Sequence, residues 1–172
     1  MSGLIYKARH FAERAHAAQV RKYSGEPYSV HLREVAGLCA EVGCRDEVVA
    51  AAWLHDAKED QGVTDADLRA AFGDEVARMV DEVTDQSRPE DGKRETRKTI
   101  DREHVGRGSA EGKTIKLADL ISNTKSIVAR DPDFAVTYMR EKRLLMPLLT
   151  EGNQILYRRA LDLLERYEAE SK

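Results

Sequence analysis

The sequence predicts an all-α protein, a single domain over residues 1–172 with about seven or eight helices around one core. Apolar residues recur every three to four positions along almost the whole chain, the period of an amphipathic helix. Alanine, leucine, glutamate and arginine are abundant and favour helix, while aromatic residues are only 6% and no period-two strand stands out. Capping and breaking residues fall between the periodic segments, where helix ends are expected.

The elements follow in order. Ile5, Ala8, Phe11, Ala12, Ala15 and Val20 form the first apolar stripe, and Ser24-Gly25-Glu26-Pro27 then breaks any helix. A second helix is expected from His31 through Val35, Leu38 and Val42 to Gly43. Asp46 is the expected N-cap of a third, which carries the uninterrupted apolar run Val48–Leu54. A helix apolar all round belongs at the centre of the fold. Thr64 and Asp67 make a capping box, Gly73 ends that short helix, and Val76, Met79, Val80 and Val83 mark the next. Residues 86–104 are almost wholly polar, and their first third, with Pro89 and Gly92, reads as loop. Ser109 opens a helix with Ile115, Leu117, Leu120 and Ile121 on its apolar side. Asp131-Pro132 starts another that Pro147 ends, and Ile155, Leu156, Leu161, Leu163 and Leu164 mark the last.

Composition excludes several function classes. A chain with 41% hydrophobic and 34% charged residues folds as a globule, and its longest apolar run is seven residues, against roughly 20 for a membrane span. Two cysteines, Cys39 and Cys44, are too few for a disulfide framework. With no charged-then-apolar leader, a reducing cytoplasm is the expected location. A net charge of −3 argues against nucleic acid as the main partner, although a local basic pocket remains compatible with it.

The chemistry concentrates in Leu54-His55-Asp56-Ala57-Lys58-Glu59-Asp60. On one continuous helix His55, Asp56, Glu59 and Asp60 share a face at three- and four-residue spacings. Three carboxylates would then crowd the C-terminal end of that helix, where the macrodipole disfavours negative charge, and a bound cation would remove the conflict. His31 follows a turn, and Asp119 interrupts an apolar stretch in Lys116-Leu117-Ala118-Asp119. Together they supply two imidazoles and two carboxylates, a donor set suited to Mn, Fe or Zn.

These residues carry a family resemblance. The order His31, His55-Asp56, Asp119 resembles the HD phosphohydrolase superfamily. Gln19-Val20-Arg21-Lys22, Gly25-Glu26-Pro27-Tyr28 with His31, His55-Asp56 with Glu59-Asp60, and Lys116-Leu117-Ala118-Asp119 with Asn123 resemble the hydrolase domain of RelA/SpoT enzymes. The small stand-alone alarmone hydrolases share that pattern, which here covers roughly residues 5–150. The resemblance implies a helical HD fold and one divalent ion, Mn2+ in the first place, held by His31, His55, Asp56 and Asp119. It implies that Glu59 and Asp60 orient or activate the attacking water, and that Arg21 and Lys22 line the nucleotide pocket. The implied reaction removes pyrophosphate from the 3′ position of guanosine tetra- or pentaphosphate. Leu32, Lys58 and Leu120 depart from the family pattern, but the ligand positions are intact.

Asn123 lies one turn beyond Asp119 and is a candidate for contact with ribose or base, and Tyr138 for stacking on a base. His16 is expected to support the site from behind, with His10 and His104 on the surface. Lys93, Arg94, Arg97, Lys98 and Arg102 read first as a solvated helix face and second as a polyphosphate contact. The expected partner is a small nucleotide, with no nucleic acid and no membrane. About 50 residues follow Asn123, which leads to the expectation of a hydrolase without a synthetase domain. Two other readings stay open: an HD phosphatase acting on another nucleotide, such as NADPH or a nucleoside monophosphate, and a nucleotide sensor without turnover.

Overall fold

The computed structural model describes residues 2–171, and among them it is all-helical. Ten α-helices occur: α1 (Gly3–Ala15), α2 (Ser29–Glu41), α3 (Asp46–Leu54), α4 (Ala57–Gln61), α5 (Asp65–Phe72), α6 (Asp74–Val83), α7 (Arg94–Gly106), α8 (Ala110–Arg130), α9 (Pro132–Leu145) and α10 (Gln154–Glu170). Short 3-10 turns cover Pro89–Asp91 and Met146–Leu148. The helices beyond the expected seven or eight are α4, split from α3, and α7, formed in the polar stretch. No described helix is long and apolar enough to cross a membrane.

α3 is the centre, as its composition requires. Every residue from Val48 to Leu54 is buried, and the helix packs against α1, α2, α6 and α8. Its cap differs from expectation: Arg45 is the N-cap, and Asp46 stands inside the first turn with Glu47, where both carboxylates face the positive end of the helix. The Thr64–Asp67 capping box forms, and Ser109 and Asp131 cap α8 and α9 through side-chain oxygens.

Three local features aim the site. The turn after α1 is closed by Arg21 N–H to Glu26 O (2.8 Å) and Tyr28 N–H to Gln19 O (3.0 Å), with Gly25 at φ +69° making the reversal. That turn brings Arg21 back over α2, which starts at Ser29, two residues before His31. The third feature corrects the sequence reading: the helix breaks at His55-Asp56, so His55, Asp56, Glu59 and Asp60 do not share one helix face. The break has an electrostatic reason. It places Glu59 and Asp60 in the first turn of α4 instead of at the last turn of α3, and Gly62 in the left-handed region closes α4.

On the far side, Asp101 of α7 organises the loop after α6. Its buried carboxylate accepts the N–H groups of Gln86 (3.0 Å) and Ser87 (2.8 Å) and the Ser87 hydroxyl (3.0 Å). Asp101→Ala strips partners from several half-buried donors at once and is expected to cost about 2–4 kcal/mol. The urea midpoint checks it, and a change under about 0.5 kcal/mol would mean the loop holds itself.

Candidate metal centre and its cleft

His31 from α2, His55 and Asp56 from the α3–α4 break, and Asp119 from α8 converge below the surface. The two Nε2 atoms lie 3.3 Å apart. Asp56 Oδ2 is 3.0 Å from His55 Nε2 and 3.5 Å from His31 Nε2. Asp119 Oδ1 stands 3.4 Å from His31 Nε2 and 3.7 Å from His55 Nε2. His31, His55 and Asp56 alone form a group whose donor atoms all lie within 4.8 Å of one another. Donors around a first-row dication with bonds of about 2.1 Å sit about 3.0–3.4 Å apart, so the separations of His31, His55 and Asp56 come near those of one ion, with Asp119 at its border.

The hydrogen bonds behind the rings decide which atoms face inward. His55 Nδ1 lies 2.9 Å from Ala52 O, a carbonyl that only accepts, so Nδ1 carries the proton and Nε2 a lone pair. His31 Nδ1 donates to Ser122 Oγ (2.9 Å), because the Ser122 hydroxyl is already committed to Glu34 Oε2 (2.7 Å). Two lone pairs and two carboxylates therefore point into one buried space, which requires positive charge at its centre. The donor set fits a divalent cation. Without a metal the same carboxylates favour a proton in the ion's place: burial opposes charge on His55, yet Asp56 and Asp119 outweigh it and lift its pKa to about 10, so a bound cation would displace the proton from Nε2. Burial likewise pushes the carboxyls of Asp56 and Asp119 upward, but His55 and His31, with Lys116 beside Asp119, hold both below the usual carboxylate range.

The remaining candidates divide. Asn123 Nδ2 donates to Asp119 Oδ1 (2.6 Å) and so orients that carboxylate. Glu59 makes no hydrogen bond to the four candidate ligands and accepts the Asp85 N–H (3.3 Å) at the mouth of the cleft. Partial burial, then the facing charges of Asp85 and Asp56, raise its pKa to about 7 against the opposing pull of Lys116. Asp60 accepts from Gln19 Nε2 (2.8 Å). Arg21 reaches toward Glu34 (3.9 Å), and Lys22 lies over the rings of Tyr23 and Phe134. Tyr138 is only 6% exposed, and Lys142 Nζ sits 4.8 Å from its ring centre, which leaves no open face for a base to stack on. The basic stretch is not the solvated face first expected. Arg97, Lys98 and Arg102 are half-buried along a trough between α7 and α9 that opens beside Glu59. His104 is half-buried as well, its Nε2 2.8 Å from Asp81 O. The family departures lie outside the cluster: Leu32 and Leu120 are core residues, and Lys58 pairs with Asp81.

A family profile described as the HD domain matches residues 8–143. The chain belongs to the HD domain family. A probable GTP pyrophosphokinase of Mycobacterium leprae is 34% identical over 139 residues, 81% of this HD domain chain and 15% of that protein. A probable guanosine-3′,5′-bis(diphosphate) 3′-pyrophosphohydrolase of Synechocystis is 44% identical over 85 residues, 49% of this chain and 11% of that protein. The chain thus spans only 11–15% of the length of these curated relatives. A solved structure described as a metazoan orthologue of SpoT that hydrolyses ppGpp matches with a TM-score of 0.86 at 25% identity, covering 97% of each chain. A Listeria monocytogenes structure matches with a TM-score of 0.69 at 31% identity, over 85% of this chain and 98% of that one.

The roles of two supporting groups of this HD domain escaped sequence reasoning. Tyr28 donates its hydroxyl to Asp56 Oδ2 (2.7 Å) and stacks on His16, with ring centres 5.1 Å apart. Ser122 and Glu34 set the His31 tautomer from 91 and 3 residues away in the chain, and no local pattern announces that contact. Ser122→Ala removes the acceptor that holds the His31 proton on Nδ1. We expect metal affinity, measured by calorimetric titration of Mn2+, to fall about 10- to 100-fold. Unchanged affinity would show that the His31 ring is held by packing alone.

Proposed function

We propose that this chain is a metal-dependent phosphohydrolase that cleaves the 3′-diphosphate from guanosine tetra- or pentaphosphate. The observation that carries the reading is the cluster itself: two inward lone pairs and two carboxylates beside a cleft that has both a raised-pKa carboxylate and a basic wall. A solved structure matching 97% of this chain is described as hydrolysing ppGpp, which supports the choice of nucleotide. The pyrophosphokinase names among the relatives belong to proteins of which this chain matches a small fraction, so they favour no synthetase activity here.

His31, His55, Asp56 and Asp119 are the proposed ligands, and Mn2+ the proposed ion, because mixed nitrogen and oxygen donors suit it. When bound, a divalent cation lowers the pKa of a coordinated water and draws electron density from a phosphoryl oxygen. Glu59 accepts the proton of the attacking water, held at the cleft mouth by the Asp85 N–H. Asp60, fixed by Gln19, shapes the same approach. Water oxygen bonds to the phosphorus on the 3′ oxygen as its proton passes to Glu59, and the 3′ O–P bond breaks. The freed 3′ oxygen takes up a proton from solvent, and pyrophosphate leaves with guanosine diphosphate, or with guanosine triphosphate from the pentaphosphate. Arg21 and Lys22 meet the substrate's phosphates from the turn before α2.

The deciding assay incubates Mn-loaded protein with guanosine tetraphosphate and separates the products by chromatography. Guanosine diphosphate with intact pyrophosphate is expected. Orthophosphate release, or turnover of NADPH alone, would overturn the alarmone reading, and tight binding without product would make the chain a sensor.

The pH profile tests the base. Glu59 is active when ionised, so with a pKa of about 7 kcat/KM should climb with pH and level off above neutrality. Below that value each pH unit should cost about tenfold. Glu59→Gln should abolish this limb and cut kcat by about 10²–10⁴ while bound metal persists. Loss of metal in that variant would make Glu59 a ligand instead.

Replacing Arg21 and Lys22 together with Ala should raise KM for the tetraphosphate and flatten its salt dependence, with a smaller change in kcat. An unchanged KM at low salt would place the pair outside the substrate contact.

A further inference from the structure

The inner end of the α7–α9 trough holds cations that the proposed mechanism does not use. This small cavity, about 70 Å³, is walled by Lys98, Arg102, Lys116 and Lys142 against Asp85, Asp101 and Glu141. The wall charges pair off unevenly. Lys98 Nζ bonds Asp85 (2.6 Å) and Asp101 (3.3 Å), and Arg94 forks onto Glu141 (2.7 and 3.0 Å) from the rim. Lys116 reaches the other way, to Asp119 Oδ2 (3.1 Å). All three carboxylates of the cavity are thereby engaged. Lys142 and Arg102 are left: among the described residues neither has a carboxylate within 4.0 Å. Lys142 lies over the Tyr138 ring, and the Arg102 guanidinium donates only to Thr99 Oγ1 (3.1 Å).

Lys142 is in an environment that penalises its charge. Burial, then repulsion from Lys116, pull its pKa down to about 8. An anion in the cavity would relieve both. The position of the cavity sets the kind of anion. Lys116 forms its wall and also touches Asp119, whose other oxygen faces both ligand histidines. The cavity and the candidate metal centre are therefore one lysine side chain apart. That is the reach of a diphosphate, with one phosphoryl group at the centre and the next in the cavity.

We propose that Lys142 and Arg102 form a leaving-group pocket that holds the outer phosphoryl group of the departing diphosphate. The pocket makes the enzyme selective for a 3′-diphosphate over a 3′-monophosphate, and it retains inorganic pyrophosphate as an inhibiting product. The assignment rests on the hydrolase reading for its substrate, but the pocket itself is testable without turnover. Arg supplies a planar fork and Lys a mobile point charge, a complementary pair for a terminal phosphate.

Calorimetric binding of inorganic pyrophosphate and of orthophosphate to Mn-loaded protein tests the pocket directly. Lys142→Met should weaken pyrophosphate roughly 10-fold or more, the loss expected for one charge-assisted contact, and change orthophosphate much less. Arg102→Ala should do the same, and Lys142→Arg should restore most of the affinity. With substrates, the ratio of kcat/KM for guanosine tetraphosphate to that for guanosine 5′-diphosphate 3′-monophosphate should fall in Lys142→Met by a similar factor. Circular dichroism and metal content establish that each variant is folded and loaded. If Lys142→Met and Arg102→Ala leave pyrophosphate affinity unchanged, or weaken orthophosphate equally, the pocket does not exist. Should the wild type bind pyrophosphate through these residues yet fail to cleave guanosine tetraphosphate, the pocket stands and the alarmone reading falls.

Discussion

Two imidazole nitrogens held 3.3 Å apart with their lone pairs facing each other are the constraint around which the structure is arranged. Such a contact is repulsive unless a proton or a metal cation lies between the rings, and the two carboxylates beside them raise the demand for positive charge. Neither ring holds the geometry by itself. It is enforced from behind by an Ala52 carbonyl on one ring and the Ser122–Glu34 relay on the other. Those supports hold because α2, α3 and α8 pack into one core whose central helix is buried along its whole apolar run. Core stability and site chemistry are thus the same property seen at two distances, since a side chain cannot be aimed within tenths of an ångström from a loose backbone.

Three of the four proposed ligands were legible because they interrupt or end an apolar helical pattern, and His31 because it opens a helix after a turn in the order the family resemblance requires. Asp119 is a carboxylate between Ala118 and Leu120, and His55-Asp56 ends a seven-residue apolar run. A polar group in such a place needs a partner, and the kinds of residue limit what that partner is. The helix break at His55-Asp56 was not legible. Spacing rules assume a continuous helix, and the gain from moving Glu59 and Asp60 to a helix start competes with that assumption. Glu34 and Ser122 were missed, and Tyr28 entered only as part of a motif with no role, for another reason. Each is common on a half-polar helix or turn, and its role arises from a contact across the fold.

The polar stretch after α6 shows the limit of reading charge by composition. Residues 86–104 look like solvent-facing chain, yet Asp101 is buried and Lys98, Arg97 and Arg102 face a trough. What decides is the partner surface. α9 presents Glu141 and Lys142 to α7, so the charges of α7 meet charges instead of water. A helix whose wheel has no apolar face can still be half-buried when its neighbour is equally polar.

The charge distribution then has a functional logic. A protein of net charge −3 repels a polyphosphate at long range, and the carboxylates of the candidate centre repel it at short range. A dication offsets only part of the second term. The surplus cations along the trough, with Lys116 joining it to the centre, offer a path on which the local field has the opposite sign. The trough opens beside Glu59, so a phosphate-rich ligand following it would come to lie next to the proposed base. Pairing every cation would have made a quieter surface and a more stable trough. Leaving Lys142 and Arg102 without carboxylates keeps binding strength available for a ligand, at the expense of an ammonium whose charge is held at a cost until one arrives.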